Sequence, residues 1–108
     1  MAKPELRVKR ERIEKDLCEL AKFGANPTGG VTRLSLTPEE DQAREYVIEQ
    51  FKETGLKVQI DGIGNIFGYR AGTDPAAPAV MLASHVDSVI NGGIFDGNAG
   101  VIAGLEVV

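Results

Sequence analysis

The feature that most constrains this chain is the run Ala79-Val80-Met81-Leu82-Ala83, which delivers Ser84-His85 at its end. A short continuous apolar segment bounded by turn residues reads as a strand buried on both faces. Such a strand belongs in an α/β sheet covered by helices. It ends on the only histidine of the chain. In open α/β sheets, ligands bind in the crevice outside the C-terminal ends of the strands. Beyond His85 come Asp87, a loop containing Gly92 and Gly93, and Asp96-Gly97, where a new helical pattern begins. Imidazole and carboxylates gathered at a strand end are the raw material of a metal site.

The preceding residues supply the rest of an α/β unit. Residues 5–23 read as a helix in which Ile13, Leu17 and Leu20 share one face. Its Lys, Arg and Glu residues form a solvated face, and Cys18 reads as a packed or half-exposed thiol, with no local partner to activate it. A loop follows over residues 24–35, broken by Pro27, Gly29 and Gly30. Thr28, Thr32 and Arg33 sit where a ligand could be touched, or where side chains satisfy the loop's own backbone.

The next helix is well punctuated. Thr37 is its N-cap, Pro38 its first residue and Glu40 the far side of a Thr-x-x-Glu capping box. Ala43, Val47 and Phe51 make its buried stripe, and Gly55 ends it. Leu56–Asp61 alternates apolar and polar, Asp61-Gly62 turns the chain, and Asn65–Tyr69 is the partner strand of a hairpin. The glycines of 62–68 imitate a dinucleotide fingerprint but fail it. The third is one place late, and a strand follows where a helix is required. Residues 71–78 are a loop into the apolar run. The last helix starts at about Gly97 with Val101, Leu105 and Val108 on one face. Gly100 and Gly104 weaken it but permit close approach to a neighbour. It has no stop signal, so the chain reads as the N-terminal piece of a longer protein.

Composition excludes several classes. The net charge of −4 leaves no basic face for nucleic acid. No apolar run approaches the roughly 20 residues of a membrane helix, and no signal peptide is visible. With one cysteine, no internal disulfide forms, and a cytoplasmic location is the expectation.

Residues two apart on an extended segment face the same side. His85 and Asp87 therefore point together and Ser84 points away, which rules out a Ser84-His85-Asp87 nucleophilic triad. The chemical reading makes His85 a metal ligand, Asp87 the carboxylate that orients it, and Asp96 a second ligand able to bridge two ions. The plainer alternatives are a hydrogen-bonded buried histidine, a turn residue at 87 and an ordinary helix N-cap at 96.

The string from Ser84 to Gly97, with Gly100-Val101-Ile102-Ala103-Gly104-Leu105-Glu106-Val107 after it, resembles the metal motif of a particular group of hydrolases. These are the N-carbamoyl-L-amino-acid hydrolases, allantoate amidohydrolases and β-ureidopropionases, of the zinc-exopeptidase-like dinuclear kind. Phe23-Gly24-Ala25, Gly29–Leu34 and Asp61–Gly68 are similar to that group in order and spacing. The resemblance implies the N-terminal part of a zinc-exopeptidase-like α/β/α catalytic domain. It implies two divalent ions, zinc or manganese, with His85 on one, Asp96 bridging both and Asp87 supporting His85. The reaction it implies is hydrolysis of a linear amide, carbamoyl or ureido C–N bond in a small molecule by metal-activated water, with a glutamate as general base.

Against the group's pattern, the glutamate pair, two later histidines and the dimerisation domain of a homodimer are expected beyond Val108. Residues 1–108 then form an incomplete catalytic domain, inactive alone. Glu106 is out of place as the base and reads as an outward helical glutamate. A non-catalytic truncated or interaction module, and an aminopeptidase or deacylase of the same superfamily, are the alternatives.

Overall fold

The computed structural model describes residues 3–108. It contains α1 (Arg10–Leu20), α2 (Pro38–Glu53), β1 (Lys57–Ile60), β2 (Ile66–Tyr69) and α3 (Asn98–Val107). The chain is thus a small α/β unit. β1 and β2 form an antiparallel hairpin whose register runs from Lys57 opposite Tyr69 to Ile60 opposite Ile66. The glycine-rich stretch over 62–68 is the turn and second strand of this hairpin. Asp61 braces the turn by accepting from the backbone N–H groups of Ile63 and Asn65, at 3.1 and 2.8 Å, and from Asn65 Nδ2.

α2 begins and ends by local chemistry. Thr37 Oγ1 accepts from the Glu40 N–H, and Glu40 Oε2 returns to the N–H of Leu36, one residue before the cap. At the other end Gly55 takes φ +86°, a conformation that only glycine adopts without a Cβ penalty. Its N–H donates to the Lys52 carbonyl and that of Leu56 to the Phe51 carbonyl, the paired bonds of a Schellman end.

The core is where the three helices meet. Leu20, Ala43, Val47 and Ile102 are buried, with Ile13, Leu17, Phe51 and Leu105 packed against them. The stripes expected on α1 and α2 are therefore the ones buried. On α3 the most buried apolar residue is Ile102, between the expected Val101 and Leu105, and Val108 is exposed. Tyr46 Oη donates at 2.6 Å to Asp16, which is buried on α1, and burial raises the Tyr46 hydroxyl above its ordinary range.

Three expectations need correction. The first helix is shorter than 5–23, because Lys9 at its N-cap offers no capping side chain and residues 5–9 stay exposed. Glu106 is not outward. Its side chain is only 6% exposed, and it receives Arg12 Nε and Nη2 at 2.9 and 2.6 Å and the Lys9 N–H at 2.7 Å. The pair joins α1 to α3. The hydrogen bond from Arg12 is the first cause of a carboxyl held below the usual range.

The largest correction concerns residues 79–84. They form no strand, and Val80, Met81 and Leu82 are 93, 70 and 55% exposed. Among the described residues β1 and β2 pair only with each other, so no ladder reaches the run. An apolar composition encodes the demand for cover, but a strand exists only where another backbone supplies the hydrogen bonds. The run instead lies along α3. Ser84 Oγ donates to the Gly97 carbonyl at 2.8 Å, and a Cβ on Gly100 would stand 2.7 Å from that of Ser84, so the glycine does permit close approach.

Candidate functional site

Two loops set the site. Residues 24–35 and 88–92 are stitched together by reciprocal bonds between Val31 and Gly92, at 2.9 and 2.7 Å. The Ser88 N–H donates to the Arg33 carbonyl at 2.7 Å, and Ser88 Oγ accepts from the Arg33 N–H at 2.8 Å. Thr32 Oγ1 accepts from the Asn91 N–H and Asn26 Nδ2. Thr32 and Arg33 thus serve the fold, but by joining their loop to other segments and side chains, not by satisfying the loop's own backbone. Thr28 is exposed, and Cys18 is a free exposed thiol.

His85 stands between two carboxylates. Its Nδ1 lies 3.1 Å from both Asp87 Oδ1 and the Asp87 carbonyl oxygen. Its Nε2 lies 3.5 Å from Asp96 Oδ1. Ser84 is engaged with Gly97 and makes no contact with the ring that would serve a triad. Asp96 does not cap α3: the N-cap is Gly97, with no side-chain cap bond. The residue at 97 underlies the ring. Gly97 has φ +74°, and a Cβ there would fall 2.5 Å from Cε1 and Nδ1 of His85.

The partners fix the tautomer. A carbonyl oxygen and a carboxylate oxygen only accept, so Nδ1 carries the proton. In the neutral ring, Nε2 then turns a lone pair toward a carboxylate oxygen. Two acceptors facing each other repel unless a cation stands between them. Their separation exceeds the 2.7–3.2 Å of a good N–H···O bond. It is close to the roughly 3.4 Å that tetrahedral angles and bonds of about 2.0–2.2 Å set between a nitrogen and an oxygen ligand. The donor set fits a divalent ion. The side chains of His85, Asp87 and Asp96 are 53, 40 and 64% exposed, leaving the open face accessible. No group of three or more His, Cys, Asp or Glu side chains suited to hold a metal occurs among the described residues.

The sequence reading missed Arg33 and Asn98 as central residues. Both are 1% exposed. Arg33 Nε donates to the Val86 carbonyl at 2.7 Å, Nη1 to those of Leu20 and Phe23, both at 2.7 Å, and Nη2 to Asn98 Oδ1 at 3.0 Å. Burial lowers the Arg33 guanidinium, while Asp87 and Glu40 oppose the shift. An arginine in a loop carries no sequence signal of burial. An asparagine opening a helix reads as local capping.

No family model matches the chain. It is 50% identical over 101 residues to an N-carbamoyl-L-amino acid amidohydrolase of Geobacillus stearothermophilus, covering 94% of this chain and 25% of that protein. It is 38% identical over 94 residues to an allantoate amidohydrolase of Escherichia coli, covering 87% and 23%. A crystal structure of an amidase of the hydantoinase/carbamoylase family from Burkholderia multivorans superposes with a TM-score of 0.92. Identity there is 44%, over 96% of this chain and 25% of that one. The chain spans about a quarter of the length of the relatives it matches.

Proposed function

We infer, from homology to the N-carbamoyl-L-amino-acid and allantoate amidohydrolases over nearly the whole chain, that residues 3–108 supply part of a hydrolytic metal centre. The reaction is hydrolysis of a carbamoyl or ureido C–N bond in a small molecule. The observation that carries this reading is the confrontation of His85 Nε2 with Asp96 Oδ1 at 3.5 Å, with Nδ1 already committed to Asp87.

In this reading His85 and Asp96 are the metal ligands, for zinc or manganese, and Asp96 has the second oxygen needed to reach a second ion. When bound, such ions polarise a carbonyl and lower the pKa of water. Asp87 accepts a hydrogen bond from Nδ1–H, which fixes the ring's orientation and keeps the Nε2 lone pair available. Gly97 leaves the space in which the imidazole lies. The arrangement belongs, on this proposal, to a zinc-exopeptidase-like α/β/α catalytic domain. Further ligands, the general base and a homodimerising domain lie in sequence outside these 108 residues. No helix of the described residues is long and apolar enough to cross a membrane. The exposed free thiol of Cys18 suits a reducing compartment, and the proposal puts the protein in the cytoplasm.

The chain has one histidine, so its imidazole signals are assigned without ambiguity. Titrating the 108-residue chain with zinc or manganese should perturb that ring at weak affinity, because two ligands leave the rest of the coordination to water. Asp96→Asn should weaken the response and His85→Ala abolish calorimetric binding at this site. Ammonia release from N-carbamoyl amino acids or allantoate should not be detectable. A ring blind to both metals would refute the ligand assignment. Turnover abolished by His85→Ala would show that this chain suffices by itself.

A further inference from the structure

A single buried guanidinium touches every segment that carries the site. Val86, whose carbonyl accepts from Arg33 Nε, lies between His85 and Asp87. Asn98, whose Oδ1 accepts from Arg33 Nη2, lies two residues beyond Asp96 and anchors the preceding loop by donating to the Ile94 carbonyl at 3.2 Å. The carbonyls of Leu20 and Phe23, at and beyond the end of α1, hold Nη1 against the helical core. The Arg33 backbone is in turn fixed by Ser88, just past Asp87.

These acceptors come from segments far apart in sequence. A guanidinium presents its donors in a rigid planar fork, so the distances between the groups it binds are set by its covalent geometry. An ammonium on a flexible stem imposes no such spacing. The site's two halves have few other direct ties: the Ser84 to Gly97 bond and the 3.5 Å approach of His85 to Asp96.

We propose that Arg33 is a positioning residue, whose guanidinium, through the Val86 carbonyl and the Asn98 side chain, holds His85 and Asp87 in register with Asp96. Its link to catalysis rests on the metal reading above; the positioning itself does not. Asn98 is central to this arrangement, since among the described residues its side chain makes the hydrogen bond that joins Arg33 to the start of α3.

The test uses the full 108-residue chain and four variants. Asn98→Leu removes the acceptor and Asn98→Asp restores one. Arg33→Lys keeps the charge without the fork. Val47→Ala weakens the helical core without removing a hydrogen-bond partner of Arg33. The first readout is metal-free: the nuclear Overhauser contact between Gly97 Hα and His85 Hε1, measured where circular dichroism shows each variant folded. Wild type, Asn98→Asp and Val47→Ala should retain it, and Asn98→Leu and Arg33→Lys should lose it.

The second readout is zinc affinity at the imidazole, expected to fall about 10–100-fold in the same two variants and recover in Asn98→Asp. Full retention of the contact in Asn98→Leu, or equal loss in Val47→Ala, overturns the proposal. If Arg33→Lys does not fold, the two Asn98 variants decide. A wild-type ring that ignores zinc refutes the metal reading and leaves the first readout to judge Arg33.

Discussion

Gly97 lies directly beneath the imidazole of His85, so close that a Cβ at 97 would stand 2.5 Å from two ring atoms. Two constraints coincide at this one position. The backbone has φ +74°, which disfavours any L side chain, and the space a side chain needs is filled by the ring. Gly97→Ala must therefore shift α3, the imidazole or the His85 backbone, whose carbonyl oxygen is the first atom the new Cβ would meet. The expected result is a loss of about 1–3 kcal/mol in denaturant unfolding, accompanied by altered His85 ring shifts. Unchanged ring shifts in a folded Gly97→Ala chain would show that the helix start or the His85 backbone yields and that the ring is not held by residue 97.

Asp87 invites a finer substitution. Both oxygens near Nδ1 are acceptors, so the ring proton is held by a charged group and a backbone carbonyl. Asp87→Asn keeps an acceptor of similar shape and removes the charge, while Asp87→Ala leaves only the carbonyl. Zinc affinity at the ring is expected to fall in the order wild type, Asn, Ala, within the roughly 10–100-fold range typical of groups that orient a metal-binding histidine. Nitrogen-15 shifts of the ring should show Nδ1–H as the neutral tautomer in wild type. A dominant Nε2–H form would contradict the geometry.

How much of this was legible beforehand depends on whether the signal was local. The caps of α2, the hairpin over 57–69 and the buried stripes of α1 and α2 are written in neighbouring residues, and the structure has them. His85 and Asp87 share a side because of their spacing, which is also local. The run at 79–84 failed as a strand because pairing is supplied by other backbone, which the run cannot encode. Asn98 was missed, Arg33 was placed only at a ligand or on its own loop, and Glu106 was misjudged as outward, all for the same reason. Arg33 meets Val86 across 53 residues and Asn98 across 65, and Arg12 meets Glu106 across 94. A charged or amide side chain shows where it is buried only after the chain has folded.

The end of α2 isolates a backbone effect from a packing effect. Gly55 has φ +86°, yet a Cβ built there meets no atom within 4 Å. Gly55→Ala should cost only the left-handed conformation, about 1–2 kcal/mol. Gly55→Asn should cost less, because asparagine tolerates that region better. Urea unfolding of the three chains gives the comparison. Equal stability of Gly55→Ala and wild type would mean that the helix end relaxes to another cap without penalty.

The tie between α1 and α3 should be sensitive to acid. Glu106 accepts from Arg12 and from the Lys9 N–H, and its carboxyl is held below the ordinary range in the folded chain, first by the Arg12 hydrogen bond. A depressed folded-state pKa contributes stability that is fully present above the unfolded value, about 4.3 for glutamate. That contribution is lost as pH falls through the lower folded value. Asp61 is depressed as well, by its bonds to Asn65, so acid weakens the wild-type chain at two places. Glu106→Gln separates them, because glutamine resembles the protonated acid at one site and leaves Asp61 intact. The difference in urea midpoint between wild type and Glu106→Gln should be largest near neutral pH and shrink steadily as the pH drops below about 4.3. High salt should reduce it less than for a fully exposed pair, since the Glu106 side chain is 6% exposed. A difference that stays constant from neutral to acid pH would show that packing of the side chain, rather than its charge, holds α3 against α1.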